Sequence, residues 1–225
     1  MENCLHKLKI FKYGFTLAEV LITLVIIGVV AALTIPPVIN KYKDEELKSQ
    51  FKKAYSTITQ AIYKTNMNDF YGYVRCYYKD GSGAPTQNDC YSFYSKLAKN
   101  LQTQKICNNN SLSEGCVPVY KQYYPSSSCW GYSEDYINNT NITYVLSDGQ
   151  IIIPFSKNEY PLFLVDINGQ KGPNAPGKDL FGFQIKMNAE NNLYLTTGGG
   201  CVQIPPVSGG KTTQEMIQYA LVGKK

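Results

Sequence analysis

Residues 15–35 read FTLAEVLITLVIIGVVAALTI, and Glu19 is the only charge among them. As an α-helix rising 1.5 Å per residue, this run is about 30 Å long, the thickness of a bilayer's hydrocarbon core. A segment of this kind has to be covered by lipid or by other apolar helices. Lys7, Lys9 and Lys12 precede it and favour a cytoplasmic amino terminus, while Lys41 and Lys43 on the far side weaken the charge asymmetry. Hydropathy alone leaves three fates open. A cleaved secretory signal needs a small-x-small site after the run, and Val30, Ala31, Ala32 and Leu33 offer a poor one. An uncleaved signal anchor fits the hydropathy, as does a cut ahead of the run.

Glu19 separates these readings. A carboxylate near the end of a membrane helix costs a few kcal/mol on insertion scales unless it finds a partner. A cut between Gly14 and Phe15 creates one, because the new α-amino group lies four residues before Glu19, one helical turn away, with the opposite charge. Gly14, Phe15, Thr16, Leu17 and Glu19, behind a basic leader and ahead of an unbroken apolar helix, resemble the processing signature of type IV pilins and type II secretion pseudopilins. The resemblance covers residues 7 to 66 strongly and the rest in outline. It implies cleavage by a prepilin peptidase after Gly14, N-methylation of Phe15, and pairing of Glu19 with the amino terminus of an adjacent subunit. Implied partners are other pilin or pseudopilin subunits, an inner-membrane assembly platform and an ATPase, with membrane lipid around the helix before assembly.

Pro36 and Pro37 remove two backbone donors and clash with the carbonyls of Ala32 and Leu33, so a kink, a short unwound stretch or the end of the helix is expected there. Beyond them Leu47, Phe51, Ala54, Tyr55, Ile58, Ala61, Ile62 and Thr65 recur at three- and four-residue steps, with Lys48, Lys52, Lys53 and Gln60 between. Helix therefore resumes with one apolar face. Further on, a short helix is expected over 91–101 and strands over 142–146, 151–155, 162–167, 181–187 and 193–196, with Asp148-Gly149 as a hairpin turn. The fold class expected is α+β and pilin-like: a long kinked amino-terminal helix packed on an antiparallel β-sheet. Its divisions are a basic leader 1–14, a transmembrane half-helix 15–36, an amphipathic half-helix 37–70 and an extracytoplasmic region 71–225. The chain then sits in the inner membrane with its amino terminus cytoplasmic, and in a surface or periplasmic filament after assembly.

Cysteine usage agrees with that placement. Cys4 lies in the expected leader, and Cys76, Cys90, Cys107, Cys116, Cys129 and Cys201 follow the apolar run. An even number beyond the leader suits an oxidising compartment. Proximity along the chain is the sole guide to pairing, and it joins Cys76 to Cys90, Cys107 to Cys116 and Cys129 to Cys201. Zinc is disfavoured, because no Cys-x-x-Cys pair exists and His6 is the only histidine.

One loop, 166–179, carries alternate oxygen-bearing side chains. Asp166, Asn168 and Asp179 resemble part of a calcium loop, although the bidentate Glu of an EF-hand is missing and Lys171 and Lys178 intrude. Some pseudopilins carry calcium in a carboxy-terminal loop. The plainer reading is a Gly- and Pro-shaped turn capped locally by Asp and Asn. No catalytic constellation emerges, since a Ser or Cys nucleophile beyond the leader has no histidine to activate it. A net charge of +5, with lysines scattered among 17 acidic residues, gives nucleic-acid binding no support. The function expected is that of a minor pilin or pseudopilin, structural and not enzymatic. The alternative is a tethered or fibre-tip module whose 19 tyrosines help recognise glycan, a surface or DNA.

Overall fold

A computed structural model of the chain describes residues 14–79, 85–86, 90–121, 137, 142–155, 161–197 and 204–223. They form α1 (Leu17–Phe70), β1 (Tyr77–Lys79), β2 (Pro85–Thr86), α2 (Cys90–Asn100), β3 (Thr103–Cys107), β4 (Thr143–Leu146), β5 (Ile151–Pro154), β6 (Leu162–Asp166), β7 (Leu180–Met187), β8 (Leu193–Thr196) and α3 (Thr213–Ile217), which runs into a π-helical turn, Gln218–Val222. The chain clusters into two compact units, 1–44 and 45–225.

In the first unit α1 is apolar and its side chains are exposed, Ile26 at 57% and Leu33 at 72% among them. One helix here is long and apolar enough to cross a membrane. Helical backbone continues through Pro36 and Pro37 with no unwound stretch between them.

In the second unit α1 becomes amphipathic, as the three- and four-residue spacing requires. Phe51, Ala54, Ile58, Ala61, Ile62, Thr65 and Asn66 are buried, while Lys52, Lys53, Gln60 and Lys64 stay exposed. The buried stripe lies on β7 and β8. The Phe51 ring meets Phe181 edge-on at 4.9 Å and Phe183 at 6.0 Å, and the Tyr55 hydroxyl donates to the Leu195 carbonyl at 2.9 Å. Lys53 also pairs with Asp148 in the β4–β5 turn at 2.9 Å. Beside α1, α2 buries Phe93, Tyr94 and Leu97, and the Tyr94 hydroxyl donates to the Leu162 carbonyl at the start of β6.

The eight strands form one sheet in the order β2-β1-β7-β6-β5-β4-β3, with β8 also on β7. Strands β3 to β8 pair antiparallel, as the short connections between expected strands imply. One parallel pairing, β1 with β7, makes the sheet mixed. Strand β8 pairs with residues 184–187 of β7, β6 with 180–184 and β1 with 186–187. A strand has two edges, so β1 and β6 share the edge opposite β8. β1 is delivered there by the turn after α1, where Tyr71 and Gly72 take positive φ. A disulfide then ties Cys76, just before β1, to Cys90 at the start of α2.

Both faces of the central strands are buried. Phe163, Val165, Phe181, Phe183 and Ile185 face α1 and α2, whereas Ile151, Ile153, Leu164 and Leu180 face a second cluster with Val117, Tyr120 and Ile137. This period-two division is why β5 and β6 read as unbroken apolar runs. The second cover comes from the segment after β3, closed by a Cys107–Cys116 disulfide. Cys129 and Cys201 lie outside the described residues.

Because Phe51 is fully buried between two phenylalanines of β7, Phe51→Ala lowers unfolding stability by about 3–5 kcal/mol. Lys52→Ala, one residue on and exposed, changes it by less than about 0.5 kcal/mol. Thermal melts of the two variants check the contrast.

Candidate functional sites

The start of α1 is built around Thr16 and Glu19. The Thr16 backbone N–H and hydroxyl both donate to Glu19 Oε2, at 2.8 and 2.9 Å, and the Glu19 N–H donates back to Thr16 Oγ1 at 3.2 Å. This is a reciprocal capping box, in which a Thr and the Glu three residues later satisfy each other's orphan donors. The Thr-x-x-Glu spacing is legible in the sequence, but the motif reading assigned Glu19 a partner only in the terminal amine. The same box recurs at α3, where Thr212 and Glu215 bond reciprocally, and there the hydrogen bonds from Thr212 hold the Glu215 carboxyl below the usual range.

Polar side chains in the rest of the apolar run are also satisfied by the helix itself. The Thr23 hydroxyl donates to the Val20 carbonyl at 2.9 Å and the Thr34 hydroxyl to the Val30 carbonyl at 2.8 Å. In lipid no water is present to do this. What the local bonds leave unmet is the net charge of Glu19. Gly14 and Phe15 precede the helix, and Phe15 is exposed, so both are open to a partner.

The second site is the loop between β6 and β7. Asp166, at the end of β6, is fully buried. Its Oδ1 accepts from the Gly169 N–H at 2.8 Å and the Asn168 N–H at 3.2 Å. Its Oδ2 is buried, as are Asn168 Oδ1 and Asn174 Oδ1, and the Tyr120 hydroxyl lies against the Asp166 carboxyl. Asp179, also buried, accepts from the Asn174 and Ala175 N–H groups, both at 2.7 Å. Burial pushes the Asp166 carboxyl well above the usual carboxylate range and the Asp179 charge adds to the effect, while the N–H groups and the Tyr120 hydroxyl oppose it. Burial likewise raises Asp179. The two lysines do not neutralise the pair: Lys178 reaches out to the Gly209 carbonyl, and Lys171 is exposed.

Sequence reasoning singled out Asp166, Asn168 and Asp179; Asn174, in the same loop, also buries its side-chain oxygen. The loop thus buries oxygens of two carboxylates and two amides. Among the described residues no group of three His, Cys, Asp or Glu could hold a metal. Hard-cation chemistry suits such a donor set, and zinc chemistry does not.

The loop also joins the parts of the second unit. Gln170 Nε2 donates to the Gly115 carbonyl, the Lys121 N–H to the Asn174 carbonyl, and the Val207 and Lys211 N–H groups to the Pro176 and Gly177 carbonyls. Gly169 has φ +65°, and a Cβ there would lie 2.0 Å from the Gly149 carbonyl oxygen in the β4–β5 turn.

With this geometry in hand, comparison with known proteins bears on the amino-terminal site. The family model described as the prokaryotic N-terminal methylation motif matches residues 11–35. The match is consistent with the type IV pilin and pseudopilin family, and it implies processing by a peptidase and assembly with other pilin subunits. No curated protein and no solved structure matches the chain.

Removing the Thr16 side-chain bonds frays the first turn of α1. Thr16→Val raises hydrogen exchange at the Glu19 amide by roughly tenfold in detergent micelles, and Thr16→Ser restores protection. Exchange measured by NMR on the full chain decides it.

Proposed function

We propose that this chain is a minor pilin or pseudopilin, a subunit of a type IV pilus-like or type II secretion filament. The observation that carries the reading is an exposed apolar run, 15–35, whose one charge, Glu19, lies inside the segment 11–35 that the N-terminal methylation motif matches. A prepilin peptidase cuts between Gly14 and Phe15, and Phe15 is then methylated. The subunit waits in the inner membrane with its amino terminus cytoplasmic and its globular region, 71–225, outside. A platform protein and an ATPase then draw it into the fibre, where helix contacts replace lipid contacts. The new amine of one subunit neutralises Glu19 of its neighbour. Pro36 and Pro37, which give no hydrogen bond to the Ala32 and Leu33 carbonyls, make the turn at which α1 bends during packing.

Membrane-extracted protein is expected to begin at N-methylated Phe15 by amino-terminal sequencing and mass measurement. Glu19→Ala is expected to be processed and inserted normally yet absent from sheared filaments. A mature chain that retains residues 1–14, or filaments containing Glu19→Ala at wild-type levels, overturns the proposal.

The buried oxygens of Asp166, Asn168, Asn174 and Asp179 fit calcium, and we assign that role to them in the same subunit. Bound there, the ion supplies positive charge to a carboxylate pair that has none. Calcium at a hundredfold excess over its dissociation constant raises the melting temperature by about 5–10 °C. Chelator reverses the gain, and Asp166→Asn shows no response. A wild-type melt unchanged by millimolar calcium removes the assignment and leaves the filament reading untouched.

A further inference from the structure

A cleft opens in the 45–225 unit where α2 stops covering the sheet. Its volume is about 420 Å³, within the roughly 300–1,000 Å³ range of small-molecule sites. The floor is apolar, formed by Ala98 of α2 with Ile142 and Tyr144. Tyr91, Ser95 and Lys99 rise from one flank of α2, spaced four residues apart, with Gln102 in the following turn. Ile106 and Asn108 close the opposite wall from β3 and just beyond it.

Two properties distinguish this lining. The Tyr91 ring is 69% exposed and Ile106 52% exposed, so the walls show apolar surface to water. The side-chain polar groups of Tyr91, Ser95, Lys99, Gln102 and Asn108 make no hydrogen bond to any described residue. The neighbouring Thr103 hydroxyl, by contrast, is bonded to the Ala98 carbonyl at 2.6 Å. The convergent polar groups thus face an apolar floor with their hydrogen-bonding capacity unspent.

From this geometry we propose that the cleft binds an acidic saccharide, a uronic or sialic acid residue in a short glycan. An exposed tyrosine ring packs against the C–H face of a pyranose. A hydroxyl and two amides supply both donors and acceptors, which is what sugar hydroxyls require. Lys99 is the one charged side chain among the described lining residues, and its ammonium, which meets no carboxylate of a described residue, matches a sugar acid through a charge-assisted hydrogen bond. Single-stranded nucleic acid fits less well, because tracking a phosphate backbone takes a line of cations and not one. A purely apolar ligand would leave two amides and an ammonium desolvated and unpaired.

The test uses the full chain in detergent micelles, titrated by NMR with N-acetylneuraminic acid and with a glucuronate-containing disaccharide, and with lactose as the neutral control. At least one acidic probe is expected to saturate, about tenfold tighter than lactose. Lys99→Gln is expected to bring the acidic probe down to the lactose level, and Tyr91→Ala to weaken every sugar by about tenfold. Melting temperatures of both variants are measured alongside; the side chains are exposed, so wild-type values are expected. Absence of saturation by both acidic probes overturns the proposal, as does wild-type binding by a folded Tyr91→Ala variant. Equal affinity for lactose and the acidic probes overturns the acid class. None of these failures touches the filament reading, which rests on Glu19 and processing.

Discussion

The carboxylate of Glu19 is the one charge in the exposed apolar run 15–35, and the polar bonding at the start of α1 follows from how it is accommodated. Two donors from Thr16 engage one of its oxygens, and the threonines further along bond to carbonyls of their own helix. Hydrogen bonding is thereby answered without help from outside. Neutralisation is a different demand, because donors from a neutral residue spread a charge but do not cancel it. A cation has to come from elsewhere, and in the function proposed above the freshly cut amino terminus supplies it. On that proposal, removal of the leader also creates the partner of Glu19.

In the 45–225 unit the controlling constraint is that the sheet buries both faces. Helices α1 and α2 cover one side, and irregular chain closed by the Cys107–Cys116 disulfide covers the other. Part of that chain bonds to itself over 110–117, and other backbone groups find partners in a fixed neighbour. The 166–179 loop provides them, with bonds to Gly115, Lys121, Val207 and Lys211. Holding so many segments forces the loop into a tight path in which Gly169 sits against Gly149 and two carboxylates point inward. Buried acids and a structural hub occur together because the same short loop must turn its backbone outward and its oxygens in.

Elements set by local pattern were legible in the sequence. The α1 stripe, α2, the Asp148-Gly149 hairpin and strands β4 to β8 fall within one or two residues of their expected places, because periodicity and turn chemistry act over a few positions. β1 and its parallel pairing were not legible, since three residues carry no period and the pairing spans more than a hundred residues of chain. The apolar runs of β5 and β6 were read for one buried face, and the second cover needed the fold to appear. At the amino terminus the methylation motif matched over residues 11–35 was readable from residue types and spacing, and the bonding of Thr16 to Glu19 could have been found from Thr-x-x-Glu alone. The burial of the Asn174 side-chain oxygen shows only in the three-dimensional course of the loop. The cleft was invisible because its walls come from α2, the turn after it, β3 and the approach to β4.

The cleft and the core divide α2 between them along its length. Phe93, Tyr94 and Leu97 point into the sheet, while Tyr91, Ser95 and Lys99 lie on the outer flank. A helix eleven residues long presents both rows because residues four apart share a face and the two rows are offset by about half a turn. Side chains that hold the fold are therefore distinct from those that line the cleft, apart from the floor formed by Ala98, Ile142 and Tyr144. The outer row can change by substitution without loosening the packing beneath it.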